Sequence, residues 1–191
     1  HGNSLIIGTQ NKLYFYSDNQ WNLDLLGQKD PESFKINSIK TLGDTVLIAS
    51  SQGLHIYLNG SLTTLVEHEE VLDLDYNEED DTFYLLGKDW LGVLSSGSEE
   101  ITFLFRNELI GYPDVGAVSN LMHHRGKLYY SSNSPLHQYD LHSHEKRAVI
   151  TEYFDLDYVC MNAMVDHEGS LWVATLRGAF KVNNQDTWNF N

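Results

Sequence analysis

Nine histidines, and 27 carboxylates against 12 Lys and Arg, make metal binding and acid–base work the first chemistry to test. His142-Ser143-His144, with His123-His124 and His137, could offer imidazoles to a zinc ion, which takes four ligands in a tetrahedral shell. Yet His142 and His144 share one polar turn segment and His123 and His124 another, and the Asp/Glu/Cys companion pattern of a zinc site is missing. Solvated turns are the reading those segments favour, and no metal or other cofactor is expected. Glu78-Glu79-Asp80-Asp81 offers oxygens for calcium but lacks the Asp-x-Asp-x-Asp-Gly loop, and reads as a hairpin tip. Cys160, the one cysteine, lies in an apolar run with no base to activate it, and reads as a small buried hydrophobe. Glycosidic hydrolysis needs two carboxyl groups flanking the bond. Asp73 and Asp75 sit on one strand-like segment, while Glu108, Asp114, Glu152 and Asp155 lie in connections. There is no Gly-x-Ser-x-Gly elbow. A glycosidase is therefore kept as an alternative, and the chain is expected not to be an enzyme.

Binding without turnover suits the remaining polar residues better. Lys88, Asp89 and Trp90 are adjacent, and Gln52, Asn133 and Arg177 hold the corresponding loop of other repeats described below. An indole can stack on a sugar ring, and Lys, Arg, Gln and Asn can hydrogen-bond hydroxyls or pair with a uronate. The competing reading packs Trp90 on a neighbouring sheet and leaves Lys88, Arg106 and Arg177 to offset local acidity. A formal net charge of -15 repels phosphate backbones and anionic lipid, so neither nucleic acid nor a membrane surface is an expected partner. No apolar run approaches the roughly 18 residues of a membrane helix. The opening His-Gly-Asn-Ser-Leu-Ile-Ile has no basic region ahead of an apolar stretch, so no signal peptide is read there and a mature or excised piece is expected.

Those candidate residues are positioned by an internal repeat. Five apolar runs recur, starting at Leu5, Val46, Phe83, Leu128 and Leu171, with starts 41, 37, 45 and 43 residues apart. A second run begins 8 residues after each, at Leu13, Leu54, Leu91, Leu136 and Ala179. Turn formers Asn3, Asp44, Asp81, Gly126 and Gly169 stand two residues before each first run. Ahead of them lie strand-like segments Ile36 to Leu42, Val71 to Tyr76, Val118 to His123 and Val159 to Val165, and a last short strand is exemplified by Ile101 to Phe105. Each unit is thus four antiparallel strands, A to D, and no stretch shows a helical apolar stripe. Units of about 40 to 45 residues are the spacing of β-propeller blades.

The expected fold is all-β: one propeller region over 1–191, with blades at about 1–30, 31–66, 67–112, 113–154 and 155–191. Its first blade begins at strand B. A seven-bladed ring at this spacing needs roughly 290 residues, so a part of a larger propeller is expected, with a five-bladed ring as the alternative. Leu171, Trp172 and Val173 are expected to form the packed centre of the last blade. B to C and D to A loops emerge on the same mouth of such a ring, which gathers Gln52, Lys88, Asp89, Trp90, Asn133 and Arg177 there.

Asp166-His167-Glu168-Gly169-Ser170-Leu171-Trp172-Val173-Ala174-Thr175, followed by Arg177-Gly178-Ala179-Phe180-Lys181-Val182, resembles the two-component regulator propeller repeat. Val46 to Ser50 with Gln52-Gly53-Leu54-His55-Ile56-Tyr57 is a degenerate copy, whereas Lys12, Trp90 and Pro135 replace the second glycine elsewhere. The resemblance implies the periplasmic sensor region of a bacterial hybrid two-component histidine kinase responding to glycan fragments, with transcription regulation as its output. The partners it implies are an oligosaccharide or other small ligand, the remaining blades and domains of the same receptor, and a second copy in a homodimer. A protein-interaction scaffold is the rival class.

Overall fold

The computed structural model describes residues 5–9, 12–17, 19–24, 34–95, 97–98, 100–107, 118–132, 134–149 and 159–182. Every regular element among them is a β-strand, and the chain divides into two compact units, His1–Arg106 and Asn107–Asn191.

The first unit holds three antiparallel sheets, each a meander in chain order. They are β1 (Leu5–Gly8), β2 (Leu13–Ser17) and β3 (Gln20–Asp24); then β4 (Ile36–Leu42), β5 (Thr45–Ser50), β6 (Gly53–Leu58) and β7 (Ser61–Glu67); then β8 (Asp73–Asn77), β9 (Thr82–Leu86), β10 (Trp90–Ser95) and β11 (Thr102–Arg106). The second unit holds β12 (Ser119–His124), β13 (Lys127–Ser132), β14 (His137–Asp140) and β15 (Lys146–Ala148), then β16 (Cys160–Val165), β17 (Leu171–Thr175) and β18 (Gly178–Val182). These are the blades of a β-propeller. Among the described residues the middle three sheets carry strands A to D, the first carries B to D and the last A to C.

The repeat arithmetic places Leu13, Leu54, Leu91 and Ala179 in C strands. Leu136 differs by one residue, since β14 begins at His137. Pro135 has no N–H with which to extend the ladder, although the Leu136 carbonyl still accepts the Val149 N–H at 2.8 Å. Asn59-Gly60 (φ 51° and 79°) and Arg125-Gly126 (φ 51° and 72°) both put two successive residues in the left-handed region, the geometry of a type I′ hairpin whose twist matches its strands.

Packing explains why the B strands lack polar alternation. In β5 the residues Val46 to Ser50 are all buried. Val46 and Ile48 pack with Leu13 and Phe34, while Leu47 and Ala49 face the other way, onto Leu74, Phe83 and Leu85 of the third sheet. A strand covered on both faces must be apolar on both. β1 shows the converse: Ile6 joins the core against Ile36 and Ile39, whereas Leu5 and Ile7 are 52% and 40% exposed. In the second unit Tyr129, Leu136, Cys160, Ala163, Leu171 and Val173 form the core of the fourth and fifth sheets. Cys160 is buried there, and burial pushes its thiol up, so it has the character of a hydrophobe.

Candidate functional site

The B to C turn is built by a recurring hydroxyl. Ser50 Oγ donates to the Gly53 carbonyl at 3.2 Å and accepts the Gln52 N–H at 3.0 Å. Thr175 Oγ1 does the same with Gly178 (3.2 Å) and Arg177 (3.1 Å), and Thr9 Oγ1 donates to the Lys12 carbonyl at 3.3 Å. A Ser or Thr ending strand B therefore closes the loop onto the residue three positions later. Gly53 is required in its turn: at φ 138° a Cβ would meet the Val66 carbonyl oxygen at 1.8 Å.

The third sheet lacks that hydroxyl, with Gly87 in its place. The Trp90 indole occupies the space, for a Cβ on Gly87 would lie 2.0 Å from it and one on Gly92 would lie 3.5 Å from it. Phe103 meets the indole edge-on at 5.5 Å. Trp90 is 3% exposed and belongs to the core with Leu74, Leu85 and Leu94, so the expectation that it offers a stacking face to a sugar is corrected. Of its neighbours, Lys88 is exposed and Asp89 half-buried. Gln52 and Arg177 are exposed on their own B to C turns. Asn133 lies outside the described residues, as do Glu108, Asp114, Glu152 and Asp155.

Gln52 borders a pocket of about 460 Å3 in the second sheet, lined by Ser51, Gln52, His55, Thr64, Glu67 and His68. Its walls are the B to C turn and the end of strand D, and its floor is His55. The His55 Nε2 lies 2.8 Å from Ser50 Oγ and its Nδ1 3.0 Å from Thr64 Oγ1, with the Phe34 ring 5.2 Å away. Because the Ser50 hydroxyl donates to Gly53, Nε2 carries the proton and Nδ1 accepts from Thr64. Burial pushes His55 down to about 4 despite the opposing pull of Glu67, and the ring is neutral at pH 7. Sequence reasoning passed over this pocket. Its available signal was a histidine between Leu54 and Ile56, inside a strand otherwise packed on both sides.

A second pocket, about 410 Å3, lies on the fourth sheet among Lys127, Gln138, Asp140, Glu145, Lys146 and Arg147. Two neighbouring histidine rings, those of His144 and His137, have structural partners. Asp140 Oδ1 accepts the N–H groups of His142 (3.0 Å) and Ser143 (2.9 Å), which hold its carboxyl below the usual carboxylate range, and His144 Nδ1 meets the Tyr139 hydroxyl at 3.0 Å. His137 stacks on Tyr130 at 5.6 Å and is pushed down by burial. Among the described residues no three His, Cys, Asp or Glu side chains come together as metal ligands. In the third sheet, Asp75 forms an ion pair with Lys40 of β4 and accepts the Tyr76 N–H at 2.8 Å; Asp73 accepts the Leu74 N–H at 2.9 Å.

The segment that carries the family resemblance has a mechanical basis. Asp166 Oδ1 accepts the Glu168 and Ser170 N–H groups at 3.0 and 2.8 Å, and Oδ2 accepts the Trp172 indole N–H at 2.7 Å. The indole bond leads these in holding the carboxyl well below its ordinary value. Lys181 sits 5.6 Å from the Trp172 ring and 3.1 Å from Glu168. Trp172 is half-buried, pointing away from the side on which Leu171 and Val173 enter the core, because adjacent strand residues face opposite ways. The expected packed centre is thus Leu171 and Val173, with Trp172 an external brace.

No family model matches the chain, and no curated protein matches it. Solved structures do. The extracellular domain of BT4673 from B. thetaiotaomicron, described as a putative hybrid two component system, superposes with a TM-score of 0.74 over 99% of this chain at 18% identity. A second structure of the BT4673 extracellular domain, described as a putative one component system, gives 0.73 over 93% at 17% identity. Regucalcin from Agrobacterium tumefaciens, a calcium-binding protein, gives 0.58 over 87% of this chain and 60% of its own, at 15% identity. The chain spans about a quarter of the two BT4673 structures, 27% and 25%. At these identities the likeness establishes the propeller fold.

Proposed function

We propose that this chain is a ligand-sensing segment of the extracytoplasmic propeller region of a bacterial two-component receptor. The observation that carries the proposal is the likeness of its fold, over 99% of its length, to the extracellular domain of a putative hybrid two component system. The regulator-type segment Asp166 to Val182 adds support, since its turn bonds and indole brace give the motif a structural reason. Signalling of this kind asks for no bond breaking: a few kcal/mol of preference for one arrangement of the receptor shifts its population. The ligand is an oligosaccharide held by B to C and D to A loops, with Gln52 at its pocket and Lys88 and Asp89 on the corresponding turn of the third sheet in the same unit, while Arg177 holds that turn in the last sheet of the second unit. Other blades and domains of the same receptor are its partners in this reading, and Leu5, Ile7 and Trp21 of the first sheet are exposed apolar side chains against which one could pack.

The test is thermal stabilisation of the intact ectodomain across a panel of oligosaccharides, with transcription of the receptor's target genes as the second readout. Stabilisation and induction by the same oligosaccharide are expected. Turnover of an oligosaccharide would replace sensing with glycosidase activity, and induction that follows a protein partner but no saccharide would replace it with a scaffold.

A further inference from the structure

We infer that the second-sheet pocket selects an uncharged saccharide and excludes uronates, an inference that rests on the sensing role proposed above. Its polar groups suit hydroxyls. Glu67 brings a carboxylate, an acceptor for two hydroxyl donors at once, while Gln52 and Ser51 bring amide and hydroxyl groups and Thr64, whose proton goes to His55, brings an accepting oxygen. Among the described residues no Lys or Arg lines the pocket. The Arg106 guanidinium on β11 is already paired with Glu69 and lies 4.2 Å from the Phe103 ring centre. His55 beneath the pocket is neutral, with both ring nitrogens committed. A uronate placed here would set its carboxylate against Glu67 with no Lys or Arg partner among the described lining residues, the His68 ring already lying beside that same Glu67 carboxylate, and such a like-charge contact discriminates between ligands.

The pocket is also built before any ligand arrives. The Ser51 N–H donates to the Lys35 carbonyl at 2.9 Å and Ser51 Oγ accepts the Lys35 N–H at 3.0 Å. From the other side His68 N–H reaches the Gln52 carbonyl at 3.2 Å and Val71 N–H the Ser50 carbonyl at 3.0 Å. The turn is therefore clamped by the chain both before and after the blade, so little ordering entropy is spent on binding. His68, held at φ 68°, keeps its ring 3.6 Å from the Glu67 carboxylate at the rim. The volume, about 460 Å3, falls within the range of small-ligand sites.

The test applies the intact ectodomain to a printed array of neutral gluco-, manno-, galacto- and fructo-oligosaccharides beside galacturonate and glucuronate oligomers. The strongest hit is then titrated against the parent, Glu67→Gln and Thr64→Val, with melting curves run on each variant. Neutral hits weakened about tenfold or more by both substitutions, at unchanged melting temperature for Glu67→Gln, are the expected result. Uronate hits, or neutral hits indifferent to both substitutions, would overturn the inference and leave the sensing role standing. Silence across the whole array would overturn the inference together with saccharide sensing.

Discussion

The third and fifth sheets close the same B to C turn with different parts. In the fifth, Thr175 hydrogen-bonds across to Gly178 and the turn stays thin and solvated. In the third, Gly87 stands where the hydroxyl should be and Trp90 where the second glycine should be, and the indole fills the room that Gly87 leaves. Each change alone would be damaging; together they exchange a hydrogen-bonded turn for a packed one. The motif residues of the repeat are therefore paired devices, and a blade that has lost both members of a pair has not decayed. It has changed the force that closes its turn.

The sharpest way to break this comparison is a double-mutant cycle on the third sheet. Trp90→Ala should cost about 3 to 5 kcal/mol in urea unfolding, from lost transfer energy and the cavity left behind. Gly87→Thr should also be strongly destabilising, since its Cβ would enter the indole at 2.0 Å. Combined with Trp90→Ala, Gly87→Thr should cost at least about 1 kcal/mol less than the sum of the two single changes. Strict additivity would mean that the two positions do not form one device.

The second sheet shares the fifth sheet's hydroxyl turn but adds His55, where the fifth has Phe180. With its value lowered from 6.5 to about 4, His55 is neutral when folded, whereas the unfolded chain takes up a proton as pH falls below about 6.5. Its contribution is therefore complete above pH 6.5 and is lost progressively down to about pH 4, to a total on the order of 3 kcal/mol. His55→Phe should flatten the acid limb of the stability curve. An unchanged limb would assign acid sensitivity to other groups.

Smaller effects probe the brace of the fifth sheet. Trp172→Phe keeps a ring but forfeits the bond to Asp166, and should lower the melting temperature by about 2 to 4 °C. Thr175→Val, which removes the turn hydroxyl at a solvated position, should cost about 0.5 to 1 kcal/mol. A larger loss from Thr175→Val than from Trp172→Phe would reverse the ranking of turn and brace.

The offset of 8 residues between strands B and C made the blades legible, and β4 has the bounds Ile36–Leu42 read from its place ahead of the turn at Asp44. Burial of particular side chains was harder to read. Both faces of a B strand are apolar, so parity alone could not tell which face of Leu171-Trp172-Val173 meets the core. Trp90 looked like a loop residue because its glycine was missing, and the compensation at Gly87 has meaning only once the two are seen to touch. His55 gave no signal by type, since one histidine in a strand is as consistent with a satisfied core residue as with a pocket floor.

The bare face of the first sheet also makes the molecule its own optical gauge. Trp21 is 52% exposed, 4.9 Å from the Tyr16 ring, on the side where Leu5 and Ile7 lie open, while Trp90 is sealed in its glycine slot. Once the other two of the four tryptophans, Trp172 and Trp188, are replaced by Phe, one indole should therefore emit red-shifted light open to acrylamide and the other blue-shifted light closed to it. Whatever comes to lie against the first sheet would turn the red-shifted component blue and protect it from quenching, with no label attached.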